Sequence, residues 1–317
     1  MSQVKIATRE AYGKALVRLG EQNSQVVVLD ADLSKSTKTV DFAKAFPDRF
    51  FNMGIAEANM MGTAAGFAAA GKIPFASTFA IFATGRAFEQ VRNSIAYPAL
   101  NVKIAASHAG VTVGEDGGSH QAIEDIALMR VLPHMTVIVP SDGPSTEAAV
   151  FAAAAHQGPV YLRLGRPGVP VLYPEGIDFK IGQAVTLRQG SDLTIIACGI
   201  MVAIALEAAD VLAGKGIEAR VLDCHTIKPL DVEAVLAAAK QTGLIVTAEE
   251  HSVLGGLGGA VAETVASCYP VPVLRVGLED CFGQSGKPDE LLKEYNLTAE
   301  RIVAKALAGL KMRNKHS

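Results

Sequence analysis

Phe51-Asn52-Met53-Gly54-Ile55-Ala56-Glu57-Ala58-Asn59-Met60 opens the stretch on which the reading of this chain turns. It continues through Ser77-Thr78-Phe79-Ala80-Ile81-Phe82 and closes with Ser107-His108-Ala109-Gly110-Val111-Thr112-Val113-Gly114-Glu115-Asp116-Gly117-Gly118-Ser119-His120-Gln121. Between these polar points the sequence is mostly Ala, Gly, Val, Ile and Phe. A carboxylate, an aromatic pair and a loop bearing His and Asp, set in so apolar a frame, read as a site. Burial makes such a carboxylate chemically useful, because loss of water penalises its charged form.

Outward from this stretch, short apolar runs alternate with helical patterns. Val26–Leu29, Phe50–Met53, Pro74–Phe79, Asn101–Ala106, Thr136–Val139 and Val160–Leu164 read as strands, the all-apolar first one of the kind buried on both faces of a parallel sheet. Helices are expected over Ala7–Leu19, Ile55–Ala70, Gly85–Tyr97 and Thr146–Ala155, with another starting at Ser119. Asp30-Ala31-Asp32-Leu33-Ser34-Lys35-Ser36 follows the first of these strands, and His108 follows the fourth. Open α/β sheets place ligands at such carboxyl ends. The Pro- and Gly-rich stretch from Arg166 to Gly182 marks a division, after which the alternation restarts. The expected organisation is α/β, with two doubly wound domains. A mostly parallel domain occupies 1–172, a linker 173–188, and a smaller α/β domain 189–317.

Composition narrows the function. The chain has 317 residues, 50% hydrophobic and 19% charged, enough for a sizeable core. Net charge is −3 and no basic run exceeds the tail from Lys311 to Lys315, so a nucleic-acid footprint is missing. Cys198, Cys224, Cys268 and Cys281 show no paired short spacing, which favours a reduced, cytoplasmic compartment over a disulfide frame or zinc site. The sequence shows no signal core at the start and no apolar run long enough to span a bilayer.

Taken singly, the candidate residues have plain structural readings. Glu57 suits a helix first turn, Phe79 and Phe82 suit a core, and His120 suits a cap. Taken together, Gly54-Ile55-Ala56-Glu57-Ala58-Asn59-Met60, Ser77-Thr78-Phe79 and Gly114-Glu115-Asp116-Gly117-Gly118-Ser119-His120-Gln121 resemble the pyrimidine-binding domain of transketolases. His225-Thr226-Ile227-Lys228-Pro229-Leu230-Asp231 and Glu249-Glu250-His251 resemble that family's C-terminal domain. The family's Gly-Asp-Gly diphosphate motif, which with a later Asn holds Mg²⁺, occurs nowhere in the chain. The resemblance therefore implies the C-terminal subunit of a split transketolase. A separate N-terminal subunit would carry the diphosphate-binding domain and the Mg²⁺, in an α2β2 assembly.

The resemblance also assigns roles. Glu57 matches the carboxylate that shares a proton with the pyrimidine ring nitrogen of thiamine diphosphate. Phe79 and Phe82 match aromatics that line the pyrimidine, and Asp32 matches a residue near the cofactor. A third aromatic is often found where this chain has Gly85. Asp116 and His120 match contacts to the hydroxyl and carbonyl groups of the ketose donor. Arg9, Ser36, His108 and Arg166 match contacts to the phosphate of sugar phosphate substrates, a role that suits the planar fork of arginine. The implied reaction is transfer of a two-carbon ketol unit from a ketose to an aldose. Alternatives with the same domain order are 1-deoxyxylulose-5-phosphate synthase, the β subunit of 2-oxo-acid dehydrogenases, and a non-catalytic binding subunit.

Overall fold

The computed structural model describes residues 4–315, so the outer ends of the two expected domains, 1–3 and 316–317, lie outside the described residues. In chain order the strands are β1 (Lys5–Ala7), β2 (Val26–Asp30), β3 (Phe50–Asn52), β4 (Ile73–Phe79), β5 (Lys103–Ser107), β6 (Thr136–Ile138), β7 (Val160–Arg163) and β8 (Gly168–Pro170). They continue with β9 (Val185–Arg188), β10 (Leu193–Ala197), β11 (Ala219–Asp223), β12 (Thr226–Lys228), β13 (Ile245–Ser252) and β14 (Val273–Leu278). Two sheets dominate. One has seven strands in the order β12-β6-β7-β5-β4-β2-β3, and the other five in the order β14-β13-β10-β11-β9. Each is parallel except for one antiparallel edge strand, β12 in the first and β9 in the second.

The apolar runs form strands where expected, because helices cover both faces of each sheet and leave the central strands no solvated side. Every residue of β2, β5, β6, β7 and β10 is buried. One face of the large sheet packs Tyr12, Leu16, Phe42 and Phe75 with the helices Thr8–Gln22 and Gly143–Ala155. Its other face, under the helix Glu57–Ala69, runs without a break into Ile196, Cys198, Leu222 and Cys224 of the second unit. One continuous core therefore joins the two units. β12 reinforces the joint, since it follows β11 of the second sheet but pairs with β6 of the first.

Several expected boundaries move for identifiable reasons. The helix expected from Thr146 starts at Gly143, with Asp142 as N-cap, a reciprocal capping box with Ser145, and proline accepted in the first turn. The helix expected from Ser119 starts only at Asp125. Ser119 and His120 close a turn instead, and Ala122 and Ile123 are kept out of the helix by Gly110 N–H donating to the Ala122 carbonyl and Ser252 N–H donating to that of Ile123. The helix expected over Gly85–Tyr97 contains two π-helical turns, Phe82–Arg86 and Val91–Ala96. Val185–Arg188, within the stretch read as linker, pairs with β11 of the second sheet. No helix among the described residues is long and apolar enough to cross a membrane.

The buried charges are paired across long distances. Arg163 Nε and Nη2 donate to Asp125 at 2.7 and 3.1 Å, and Tyr161 OH donates to the same carboxylate at 2.6 Å. Burial alone drives Asp125 up, but Arg163 holds it below the ordinary carboxylate value. Removing one partner strands the other charge. Asp125→Ala is expected to cost about 3–5 kcal/mol, read as a lowered urea midpoint.

Asp223 behaves in the opposite way. Ser141 Oγ and Tyr173 OH donate to its Oδ2 at 2.6 and 2.8 Å, but its buried Oδ1 has no partner. Burial pushes its pKa from the ordinary 3.8 up to about 7. Between those values the folded chain keeps a proton that the unfolded chain releases. Stability from this group is full at acid pH and is lost as pH rises toward the folded value. Asp223→Asn should lose less stability than the parent between about pH 5 and pH 8, measured by thermal melts across that range.

Candidate active site

Parallel strands put all their carboxyl ends on one edge, and the order in which the chain adds strands reverses between β2 and β4. The predicted site residues gather at that edge. Phe79 ends β4, and the π-turn that follows carries Phe82 back so that the two rings lie nearly parallel, at 10° and 5.9 Å. His108 follows the last residue of β5 with φ +58°, and its ring stacks on Phe79 at 3.8 Å. A positive φ at a non-glycine residue is costly, and here it turns the imidazole onto the Phe79 face. His120 meets both phenyl rings edge-on, at 6.4 Å from Phe79 and 5.4 Å from Phe82.

Glu57 is the first residue of the helix Glu57–Ala69, where the helix dipole favours a carboxylate. It is only 2% exposed, and its Oε1 accepts a hydrogen bond from Arg86 Nη1 at 2.9 Å. The Arg86 guanidinium also lies over the Phe82 ring, 4.3 Å from its centroid. Arg86 falls in the helix expected over Gly85–Tyr97 and was not among the candidate site residues. The available signal was its position directly after Gly85, where an aromatic had been expected. A Cβ at Gly85 would meet only Ile81, at 3.6 Å, so Arg86 rather than a third ring covers Phe82.

The basic residues form a second group beside the rings. Arg9 Nη1 donates to the Ser36 carbonyl at 2.9 Å and to His108 Nε2 at 3.4 Å. Arginine has no acceptor, so Nε2 of His108 accepts, and Nδ1–H donates to Ser107 Oγ at 2.8 Å. His108 is therefore a neutral imidazole. Burial first, then the charges of Arg9, Arg166 and His120, push its pKa down to about 3. Burial likewise lowers the Arg9 guanidinium, whose buried Nε has no partner. Arg166 donates to the Val113 carbonyl and pairs with Glu115 at 3.3 Å and Asp116 at 3.7 Å. Ser36 thus meets Arg9 through its carbonyl rather than its hydroxyl.

The cofactor-side acid stands apart from both groups. Asp32, at φ +63°, is exposed and accepts from Asn52 Nδ2 at 3.1 Å. Its neighbour Asp30 holds the loop instead, accepting from Leu33 N, Thr37 Oγ1 and Thr39 Oγ1 at 2.6, 2.6 and 2.8 Å. The geometry therefore joins Glu57, Phe79, Phe82, His108, His120 and Arg9 through direct or shared contacts, with Asp116 on the adjoining loop and Arg166 beside it on the segment after β7. Among the described residues no group of three or more His, Cys, Asp or Glu is placed to hold a metal ion.

A pyrimidine needs a hydrogen-bonding carboxylate beside an aromatic face. Arg86 already satisfies both demands with one planar group, stacking on Phe82 and donating to Glu57. A planar heterocycle carrying an N–H fits the same set of partners.

Comparison with known proteins agrees. Residues 4–171 match the family described as transketolase, pyrimidine binding domain, and residues 182–302 match transketolase, C-terminal domain. A solved structure of a split gene transketolase, described as an inactive β4 tetramer, superposes with a TM-score of 0.90 at 59% identity, covering 97% of this chain and 99% of that one. A Methanocaldococcus jannaschii protein named as a transketolase C-terminal section is 50% identical over 314 residues, 98% of each chain. The 6-deoxy-6-sulfo-D-fructose transketolase subunit of a Clostridium species is 47% identical over 298 residues, 94% of this chain and 92% of that protein. Mammalian transketolases match over 49% of their own length. With both of its domains matched in order and its candidate residues gathered at one sheet edge, the chain belongs to the transketolase family of thiamine-diphosphate proteins.

Proposed function

We propose that this chain is one subunit of a split, thiamine-diphosphate-dependent transketolase, moving a two-carbon ketol unit from a ketose phosphate to an aldose phosphate. The observation that carries this reading is the buried Glu57 set beside the parallel rings of Phe79 and Phe82, with His108 and His120 against those rings. Full-length matches to proteins named as a split gene product, a C-terminal section and a subunit support the division into two chains. The diphosphate and its Mg²⁺ would be held by the partner, in an α2β2 assembly within a reduced cytoplasm.

Each residue has a job that its setting suits. Glu57 would hold a proton shared with the pyrimidine nitrogen, in place of the hydrogen bond it now accepts from Arg86. Phe79 and Phe82 would wall the ring and exclude water. When bound, thiamine diphosphate supplies the nucleophilic carbon and electron sink that protein side chains lack. His120 would donate to the oxygen where negative charge develops, and Asp116 would accept from a donor hydroxyl. Arg9, Ser36, His108 and Arg166 would receive the phosphate, with Asp32 bordering the cofactor. A bound anion would offset the Arg9 and Arg166 charges that help to keep His108 neutral.

Two substitutions test this in the chain assembled with its co-purified partner. Glu57→Gln is expected to lower ketol transfer by about 10²- to 10⁴-fold, assayed with phosphorylated ketose donors, and full activity would sink the catalytic reading. Arg9→Ala should raise KM for a phosphorylated donor by about tenfold to a hundredfold, the worth of a charged hydrogen bond. KM for the same ketose without its phosphate should stay put. Equal changes for both donors would place Arg9 away from the phosphate.

A further inference from the structure

The loop Gly114–Gln121 carries Asp116 and His120, yet its own domain holds it weakly. Its internal bonds are three turns, from Gly114 N–H to the Val111 carbonyl, Gly117 N–H to that of Gly114, and His120 N–H to that of Gly117, at 3.1, 3.1 and 3.0 Å. Turns of this kind open at low cost. Within its own domain Arg166 pairs with Glu115 and Asp116, and His120 lies edge-on to Phe79 and Phe82; the chain at both ends of the Asp116–His120 stretch is tied instead to the second domain, through a segment just after β14.

Gln121 is 3% exposed, and its Nε2 donates to the Val111 carbonyl at 3.1 Å and to the Gln284 carbonyl at 2.9 Å. Both donors of one amide thus tie the end of the loop to both domains. Its Oε1 is buried without a partner and lies against Gly283, where any Cβ would collide with it. Ser285 Oγ donates to the Glu115 carbonyl at 2.7 Å. A Cβ at Gly118 would sit 2.7 Å from the Gly283 carbonyl oxygen, so glycine is needed on the loop side too. At the near end, Thr112 N–H donates to Glu250 Oε1 at 2.7 Å, and Gly110, at φ +79°, leaves room for that carboxylate. The two outer ties fall beside the residues that matter, Glu115 next to Asp116 and Gln121 next to His120.

We propose that the Gly283–Ser285 segment of the C-terminal domain is a brace that sets where Asp116 and His120 stand, which makes Gln121, Gly283 and Ser285 positioning residues for donor binding. This rests on Asp116 and His120 being the donor contacts. The motif residues Gly118 and Gln121, which have no task on the substrate, are explained as the half of the fit that lies on the loop.

The test uses the chain assembled with its co-purified partner and compares Gly283→Ala, which crowds the brace, with Gln121→Leu, which removes both donors. Expected are faster hydrogen exchange across 114–121 and a donor KM raised by about tenfold to a hundredfold, with thiamine diphosphate affinity by calorimetry held within about twofold. Lys228→Met is the control, because Lys228 Nζ donates to the Arg130 and Leu132 carbonyls and joins the domains elsewhere. It should lower the melting temperature and leave KM alone. If loop exchange or KM stays at the parent value in both brace variants, or if Lys228→Met raises KM equally, the brace is wrong. His120→Ala separates the two readings. If it raises KM while the brace variants do not, only the brace falls. If KM moves in neither, the donor-contact reading falls and takes the brace with it.

Discussion

A guanidinium taken out of water must find compensation for its charge and its N–H groups, and Arg163 does so through Nε and Nη2 in a way that organises the molecule. It stands at the end of β7, in the middle of the large sheet, and is 6% exposed. Asp125, at the start of a helix, neutralises it. Its Nη2 also reaches the Ala122 carbonyl at 3.3 Å and the Glu250 carbonyl at 2.9 Å. One side chain thereby ties the sheet to the segment leaving the active-site loop and to the second domain. Such a pair is a weak source of net stability, because desolvation offsets the Coulomb gain, but it penalises every arrangement that leaves either charge alone.

That constraint explains why the site lies at a junction rather than on one domain. The sheet edge supplies the rings of Phe79 and Phe82, the helix start supplies Glu57, and the glycine-rich loop supplies Asp116 and His120. Only the first two are built by elements that would keep their shape locally. The loop is low in regular structure, and contacts from both domains hold it: Arg166 and the phenyl rings on one side, Glu250 and the segment after β14 on the other. The second domain, which offers no side chain to the candidate ligands, still shapes the place where they would bind.

Arg86 shows the same economy on a smaller scale. A buried carboxylate beside an aromatic face is costly without a partner, and a half-exposed arginine fills that need in the chain by itself. Glu57 keeps a hydrogen bond, and Phe82 keeps a planar group on its face. Because Arg86 is half-exposed, the contact can be exchanged for another planar donor without exposing the carboxylate to an unpaired state.

Much of this was legible in the residues themselves. Apolar runs such as Val26–Leu29 become parallel strands because their side chains have no polar face to offer water, and that property is local. The order of strands and the motifs around Glu57, Phe79 and His120 likewise sit within short windows. What local pattern misjudged depends on distant partners. Ser119–Glu124 looks helical by composition, but contacts from β13 and Arg163 draw it out. The register of Phe82 depends on a π-turn that periodicity does not reveal. The sequence by itself determined the α/β class, the family and the identity of the candidate residues, because these follow from side-chain chemistry and short spacing. The tertiary structure alone decided the partner of Glu57, the neutral state of His108 and the bracing of the active-site loop. The first two depend on groups that the large sheet brings together within one domain, and the third on groups up to 163 positions apart that meet only when the two domains share one core.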